Sequence, residues 1–265
     1  MPAQRLSRLV AHRGFITASV KREFQLKYRN SLLGASWTIL NPLAMIIIYT
    51  LVFSRVMQAR IPGIDGAYSY SVFLCTGVLL WGLFSEIVQR TQSMFVDNAN
   101  VMKKINFPWL CLPTIVLGSA VLNFLIIFGL FALFLVVVGL LPGLATIALV
   151  PIAILLMWLA LSLGVALAVL NVFFRDVGHL TGIALQFWFW LTPIVYPASI
   201  LPERVESLLW LNPLATCIVA AQQVILAREW PSWSSMWFPL VVSAALTVWA
   251  WYLFRAHEDE IVDEL

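Results

Sequence analysis

The chain has 265 residues, 62% of them apolar and only 11% Asp, Glu, Lys or Arg, less than half the roughly one quarter charged in a soluble domain. With a mean hydropathy of +0.92, one water-soluble core cannot hide this apolar surface, which excludes a soluble enzyme, a coiled coil and a disordered chain. The net charge of +3 is uneven: seven of 16 basic residues precede position 30 against the single acid Glu23, and five of 13 acids fall in the last eight residues.

In residues 1–35, Ile16, Val20, Phe24 and Tyr28 recur every four positions and predict an apolar stripe on one helix face. Lys21, Arg22, Gln25 and Arg29 fall opposite it, and Lys27 inside the stripe has to snorkel. Such an interface helix lies on the membrane with its basic side toward anionic headgroups, or packs its stripe on a partner protein. No apolar core follows the early arginines, so no cleavable secretory signal is expected. A positive arm explains the acid-free first 22 residues as well as an organellar transit peptide does.

Crossing hydrocarbon takes about 20 mostly apolar residues with every backbone group satisfied internally. Six runs qualify: 37–53, 70–88, 112–141, 144–174, 180–195 and 236–254. Leu141-Pro142-Gly143 reads as a hairpin turn. The fold class is an all-α integral membrane protein, one domain over 1–265, with a six-span bundle at 36–255 and an acidic tail at 256–265. Six spans place both termini on one side. The segments on that side carry twelve Lys and Arg; the other side has Arg55, Arg60, Arg204 and Arg228. By the positive-inside rule both termini face the cytoplasm.

Glu86 is the one acid inside a span, and Arg90, a helical turn later, can pair with it; a proton relay is the weaker reading. Residues 97–107 predict a short helix capped by Asp97 and stopped by Phe107-Pro108. Lys103 and Lys104 project from it, which suits docking into a separate protein or an ordinary positive flank. In Phe174-Arg175-Asp176, Arg175 marks the interface and Asp176 can cap the next helix. Pro193 and Pro197 break the fifth span, which is tolerated at membrane depth only beside a cavity or packed protein. Phe187, Trp188, Phe189, Trp190 and Tyr196 cluster there, as an interfacial aromatic belt or as rings on which sugar faces can stack. The stretch 197–235 predicts short re-entrant or gate helices.

Chemistry of other kinds is missing from the sequence. Cys75, Cys111 and Cys217 have no ligand spacing, and His12, His179 and His257 are isolated. None of the lysines at 21, 27, 103 and 104 follows a glycine, so no P-loop is present, and no cofactor is expected in this chain. No motif points to nucleic acid.

Four segments carry a resemblance over about residues 20–215. They are Leu26-Lys27-Tyr28-Arg29-Asn30-Ser31-Leu32-Leu33-Gly34-Ala35-Ser36-Trp37 with Asn41-Pro42; Asn100-Val101-Met102-Lys103-Lys104-Ile105-Asn106-Phe107-Pro108 with Leu112-Pro113; Phe174-Arg175-Asp176-Val177 with His179; and Thr192-Pro193-Ile194-Val195-Tyr196-Pro197 with Leu211-Asn212-Pro213-Leu214. In order and spacing the chain resembles the permease subunit of ABC-2 type exporters, in the branch for lipid-linked polysaccharides: O antigens, capsules and teichoic acids. The resemblance implies that 97–107 is a coupling helix in a cleft of a cytoplasmic ATPase, with Val101, Met102 and Ile105 as its apolar contacts. It implies a homodimer with two ATPase copies, which hold the ATP and Mg, in a bacterial inner membrane. The implied cargo is a polyprenyl-diphosphate-linked glycan, O antigen first, passing Phe187, Trp188, Trp190, Pro193, Tyr196 and Pro197 among membrane lipids. The alternatives are a drug or small-lipid exporter of the same fold and a non-transporting scaffold.

Overall fold

The computed structural model describes residues 13–27, 34–56, 68–104, 109–140 and 143–264. Within them lie eleven α-helices: α1 (Arg13–Lys27), α2 (Trp37–Tyr49, continued by a π-helix Thr50–Val56), α3 (Ser69–Asp97), α4 (Ala99–Lys104), α5 (Cys111–Val137), α6 (Leu149–Phe173), α7 (Asp176–Leu191), α8 (Glu203–Leu209), α9 (Pro213–Leu226), α10 (Trp237–Ala256) and α11 (Glu258–Glu264). The all-helical membrane class is therefore observed. Four helical stretches are long and apolar enough to cross a bilayer: Ser69–Asp97, Cys111–Val137, Leu144–Phe173 and Trp233–Ala256. The segment 37–53 is shorter, α7 has 16 residues, and α9 is a further short apolar helix of 14. At 1.5 Å per residue α9 is ~21 Å long, less than the ~30 Å of hydrocarbon.

Burial sorts these helices. The most apolar stretches of α3 and of Leu144–Phe173 are each 67% buried, against 17% for α5 and 22% for the last span. The α3–α6 pair is thus the centre of the bundle, and α5 and α10 turn most of their surface outward to lipid. α3 and α6 pack on each other most extensively, α10 covers α6, and α5 and α9 flank α3. Lipid offers no hydrophobic drive between helices, so small residues set how closely backbones approach. Gly164 of α6 is such a point: a Cβ there would lie 2.7 Å from the Thr91 Cβ of α3. Hydroxyls and an indole join α6 to α10, where Trp158 Nε1 donates to Thr247 Oγ1 at 2.9 Å and Ser162 Oγ meets the same oxygen at 2.8 Å.

Two predicted caps are corrected. Asp97 is the last residue of α3, and its carboxylate accepts from Ser93 Oγ at 2.6 Å. The span begun at 70 runs on to 97 as one helix, so α4 starts after it, with Met102 N–H bonded to the Asn98 carbonyl. Asp176 is the first residue of α7 and makes no capping bond. Asn171 of α6 does that work instead: its Oδ1 accepts the Gly178 N–H at 3.1 Å, and its Nδ2 donates to the Gln92 carbonyl at 3.2 Å, tying α3, α6 and α7 at one end. A side chain from another helix outcompetes the local acid because burial makes its bonds drier.

Gly164→Val should push α6 off α3, an overpacking of ~1–3 kcal/mol. The expected outcome is a lower unfolding temperature in detergent, measured by fluorescence-detected size exclusion. Gly129→Val, at a glycine with open space around it, should leave that temperature unchanged.

Candidate functional site

The break after α7 is the most elaborately bonded place among the described residues. α7 stops at Leu191, and Thr192 turns extended at ψ 135°. A chain leaving a helix at membrane depth carries polar groups that lipid cannot satisfy, each costing several kcal/mol if left bare. Here side chains from three elements meet them. Tyr70 of α3 donates its hydroxyl to the Val195 carbonyl. Gln222 of α9 donates Nε2 to the Pro193 carbonyl at 3.2 Å and to the Phe73 carbonyl at 3.4 Å. Thr192 Oγ1 returns to the Trp188 carbonyl at 2.8 Å, and Tyr196 donates to the Trp190 carbonyl at 2.8 Å.

Asn212 closes the assembly. With Pro213 in the first turn, where a missing N–H is harmless, its Oδ1 accepts from Leu214 N–H at 3.1 Å and Ala215 N–H at 3.3 Å and so caps α9. The same oxygen accepts Trp188 Nε1 at 3.0 Å, and Nδ2 donates to Thr192 Oγ1 at 3.1 Å. One amide thus joins the foot of α9 to the end of α7. Gly77 supplies the room: a Cβ on it would meet Gln222 Nε2 at 2.9 Å and Ile194 Cγ2 at 3.1 Å. The 197–235 stretch forms α8 and α9, and α9 is buried along much of its length against α3 and α6.

The aromatic residues divide. Trp188 is half-buried, edge-on to Phe84 at 5.3 Å and bonded to Asn212, so it is part of the packed junction. Phe187 and Trp190 are exposed, Pro193 is buried, and Tyr196 and Pro197 are intermediate. Trp249 and Trp251 lie exposed on the last span, with Arg255 over the Trp251 ring at 5.0 Å.

The opposite end of the bundle collects α1, α4 and α11. Val20, from the predicted stripe of α1, is buried, and its Cγ2 lies 3.2 Å from where a Gly118 Cβ would be. The stripe at this point rests on the protein's own α5, in place of lipid or a separate partner. Ile16 is half-buried, while Lys21, Arg22 and Gln25 are exposed on the other face. Glu23 fixes where α1 docks. Its Oε2 pairs with Arg90 of α3 at 2.5 Å and accepts from Ser119 Oγ of α5 at 2.6 Å. Arg90 does face Glu86, but at 3.7 Å, and Glu86 is held by Asn123 Nδ2 at 2.8 Å. Arg90 is thus shared between the span acid expected to hold it and an arm acid 67 residues away, which local spacing does not reveal.

On α4, Lys103 is exposed. Met102 is half-buried and packs on a cluster that includes Phe95, Leu112, Phe254 and the tail residue Ile261. One side of Met102 therefore serves the protein's own interior. Ile261 is only 1% exposed and docks the acidic tail, which forms the helix α11. Tyr28, Arg29, Ile105 and Phe107, and the side chains of Phe24, Val101 and Lys104, lie outside the described residues.

The described geometry defines a helical integral membrane protein organised around a broken span and a half-length helix, with basic and acidic helices gathered at one end. The ABC-2 type transporter family model matches residues 15–226. The chain is 30% identical over 259 residues, 97% of each protein, to the O-antigen export system permease protein RfbA of Myxococcus xanthus. It is 31% identical over 200 residues, 75% of each, to a protein of the same name in Klebsiella pneumoniae. The Polysialic acid transport protein KpsM of Escherichia coli is 25% identical over 216 residues, 80% of this chain and 81% of the relative. The chain belongs to the ABC-2 type transporter family.

Asn212→Ala should remove the α9 cap, alone worth ~0.5–2 kcal/mol, together with the indole and Thr192 bonds. Reduced thermal stability and faster acrylamide quenching of tryptophan are expected, while Asn212→Asp, which keeps the acceptor, should lose less. Ile261→Ala removes an anchor worth ~2–5 kcal/mol when fully buried. In limited proteolysis, cleavage beyond residue 256 should then accelerate at least about tenfold.

Proposed function

We propose that this chain is the membrane subunit of an ATP-driven exporter that moves a lipid-linked polysaccharide, O antigen, from cytoplasm to periplasm. The observation that carries the reading is the match over 97% of both chains to the O-antigen export system permease protein of Myxococcus xanthus. The broken span supports it as well, since irregular backbone at membrane depth belongs beside a cavity or pathway. A drug or small-lipid exporter of the same fold finds no such relative among those described above.

In this reading the end with α1, α4 and α11 is cytoplasmic, as the lysine and arginine bias suggests, and the membrane is the bacterial inner membrane. The chain works as a homodimer with two copies of a cytoplasmic ATPase, where ATP and Mg bind. Lys103 sits at the rim of the docking surface and steers association, with Asp97, Val101, Met102, Lys104, Ile105 and Phe107 around it. Phe187, Trp190 and Tyr196 face the glycan, and Trp188, Pro193 and Pro197 hold the shape of its gate.

Deleting the gene in its host should abolish surface O antigen on gels of cell-envelope carbohydrate and leave the lipid-linked glycan inside; complementation should restore it. The tagged protein should co-purify an ATPase subunit. Lys103→Ala should weaken that pull-down by no more than about fivefold, and in a salt-dependent way, because exposed pairs are worth under ~1 kcal/mol. Undiminished surface O antigen in the deletion strain would overturn the reading.

A further inference from the structure

α8 and α9 face one another across a cavity of about 400 Å³, within the ~300–1,000 Å³ range of small-molecule sites. It differs in kind from two other cavities. One of about 280 Å³ lies among Pro42, Tyr49, Trp81 and Phe124, and one of about 180 Å³ among Leu80, Phe128 and Val150, both with mostly apolar walls suited to hydrocarbon. The α8–α9 cavity offers instead Glu206, Trp210, Thr216, Gln222, Gln223 and Ser199. A carboxylate, two amides, hydroxyls and an indole are what a sugar needs: acceptors and donors for its hydroxyls and a flat ring for its C–H face.

Gln222 ties the cavity to the break. It is 3% exposed, it lines the cavity, and its Nε2 is committed to the Phe73 and Pro193 carbonyls, which fixes the orientation of its amide. Charge narrows the ligand further. Glu206 is the only charged residue among the described residues lining the cavity, and it is an anion. A diphosphate or an anionic headgroup is therefore disfavoured, while hydroxyls and protonated amino groups are accommodated.

We propose that this cavity is a saccharide subsite, holding neutral or amino-sugar residues of the transported glycan beside the broken span. The site recognises the sugar part of the cargo and leaves the diphosphate carrier to other surfaces. Occupancy is felt at the break through Gln222, which bonds the Pro193 carbonyl. The proposal rests on the polysaccharide reading above.

The test uses the full-length protein in lipid nanodiscs carrying Ser199→Cys, at an exposed position lining the cavity; Cys75, Cys111 and Cys217 are buried. The probe is the host's own O polysaccharide, released from its lipid by mild acid. Maleimide labelling of the new thiol should slow at least about threefold at saturating glycan. Trp210→Ala or Glu206→Gln should abolish that slowing, and Trp249→Ala, on the outer face of the last span, should retain it. Unslowed labelling, or slowing that survives both Trp210→Ala and Glu206→Gln, overturns the subsite. The two readings separate cleanly: if the deletion strain loses surface O antigen but the glycan leaves the thiol unprotected, only the subsite fails. Intact surface O antigen in the deletion strain removes the polysaccharide reading and the subsite with it.

Discussion

A span that breaks at membrane depth must find partners for its backbone inside the protein, and much of the architecture around Thr192–Pro197 follows from that one demand. Two prolines remove N–H donors, which makes an uninterrupted helix unfavourable, but they leave carbonyls that still need hydrogen. Tyr70, Gln222 and the local hydroxyls of Thr192 and Tyr196 provide it. For Gln222 to arrive, α9 has to enter the bundle beside α3, and for α9 to begin there its first N–H groups need Asn212. Gly77 keeps α3 thin where Ile194 and Gln222 press against it. The prolines and the amides are thus parts of one solution: the first create the break, and the second make it stable.

At the other end the controlling interaction is electrostatic. Arg90 lies between Glu86 and Glu23, and each carboxylate has a further donor, Asn123 or Ser119. These groups are a quarter to two fifths exposed, so each ion pair alone contributes little. Their effect is geometric. They fix α1 on α5, where Val20 packs beside Gly118, and tether it to α3 through Arg90, turning an amphipathic helix that could lie on lipid into a part of the bundle. α11 is seated by a different force, the burial of Ile261 against Phe254 and its neighbours.

Four of the six spans were legible because a bilayer imposes a length and a composition that a single sequence displays openly; the runs read at 37–53 and 180–195 form shorter helices. The break was legible for a related reason, since proline acts locally. What stayed hidden depends on partners far along the chain. Asn212 reads locally as a helix cap, yet it also bonds Trp188 and Thr192, 24 and 20 positions earlier. Glu23 looked like an isolated acid in a basic arm, and its partner is 67 residues on. Nothing in the segment of Met102 announces that it packs beside Ile261, near the far end of the chain. Local rules also named the wrong caps: Asp97 and Asp176 have the right chemistry, but a longer helix and Asn171 prevail.

The two ends are joined by α3. This 29-residue helix, ~43 Å long at 1.5 Å per residue, carries Tyr70, Phe73 and Gly77 at the break, and Arg90, Gln92, Met94 and Phe95 near the arm, the start of α7 and the tail. It is continuous and packed on α6 through the tight Thr91–Gly164 contact, so it has little freedom to bend between its ends. α4 follows it directly, held by the Met102-to-Asn98 backbone bond and by packing on Phe95. A displacement of α4 therefore acts on the foot of α3, and the hydrogen bonds to Val195 and Pro193 lie at its head. In a protein with these connections, a force at the short charged helix reaches the break through one rigid element, with no chain of intermediate side chains required.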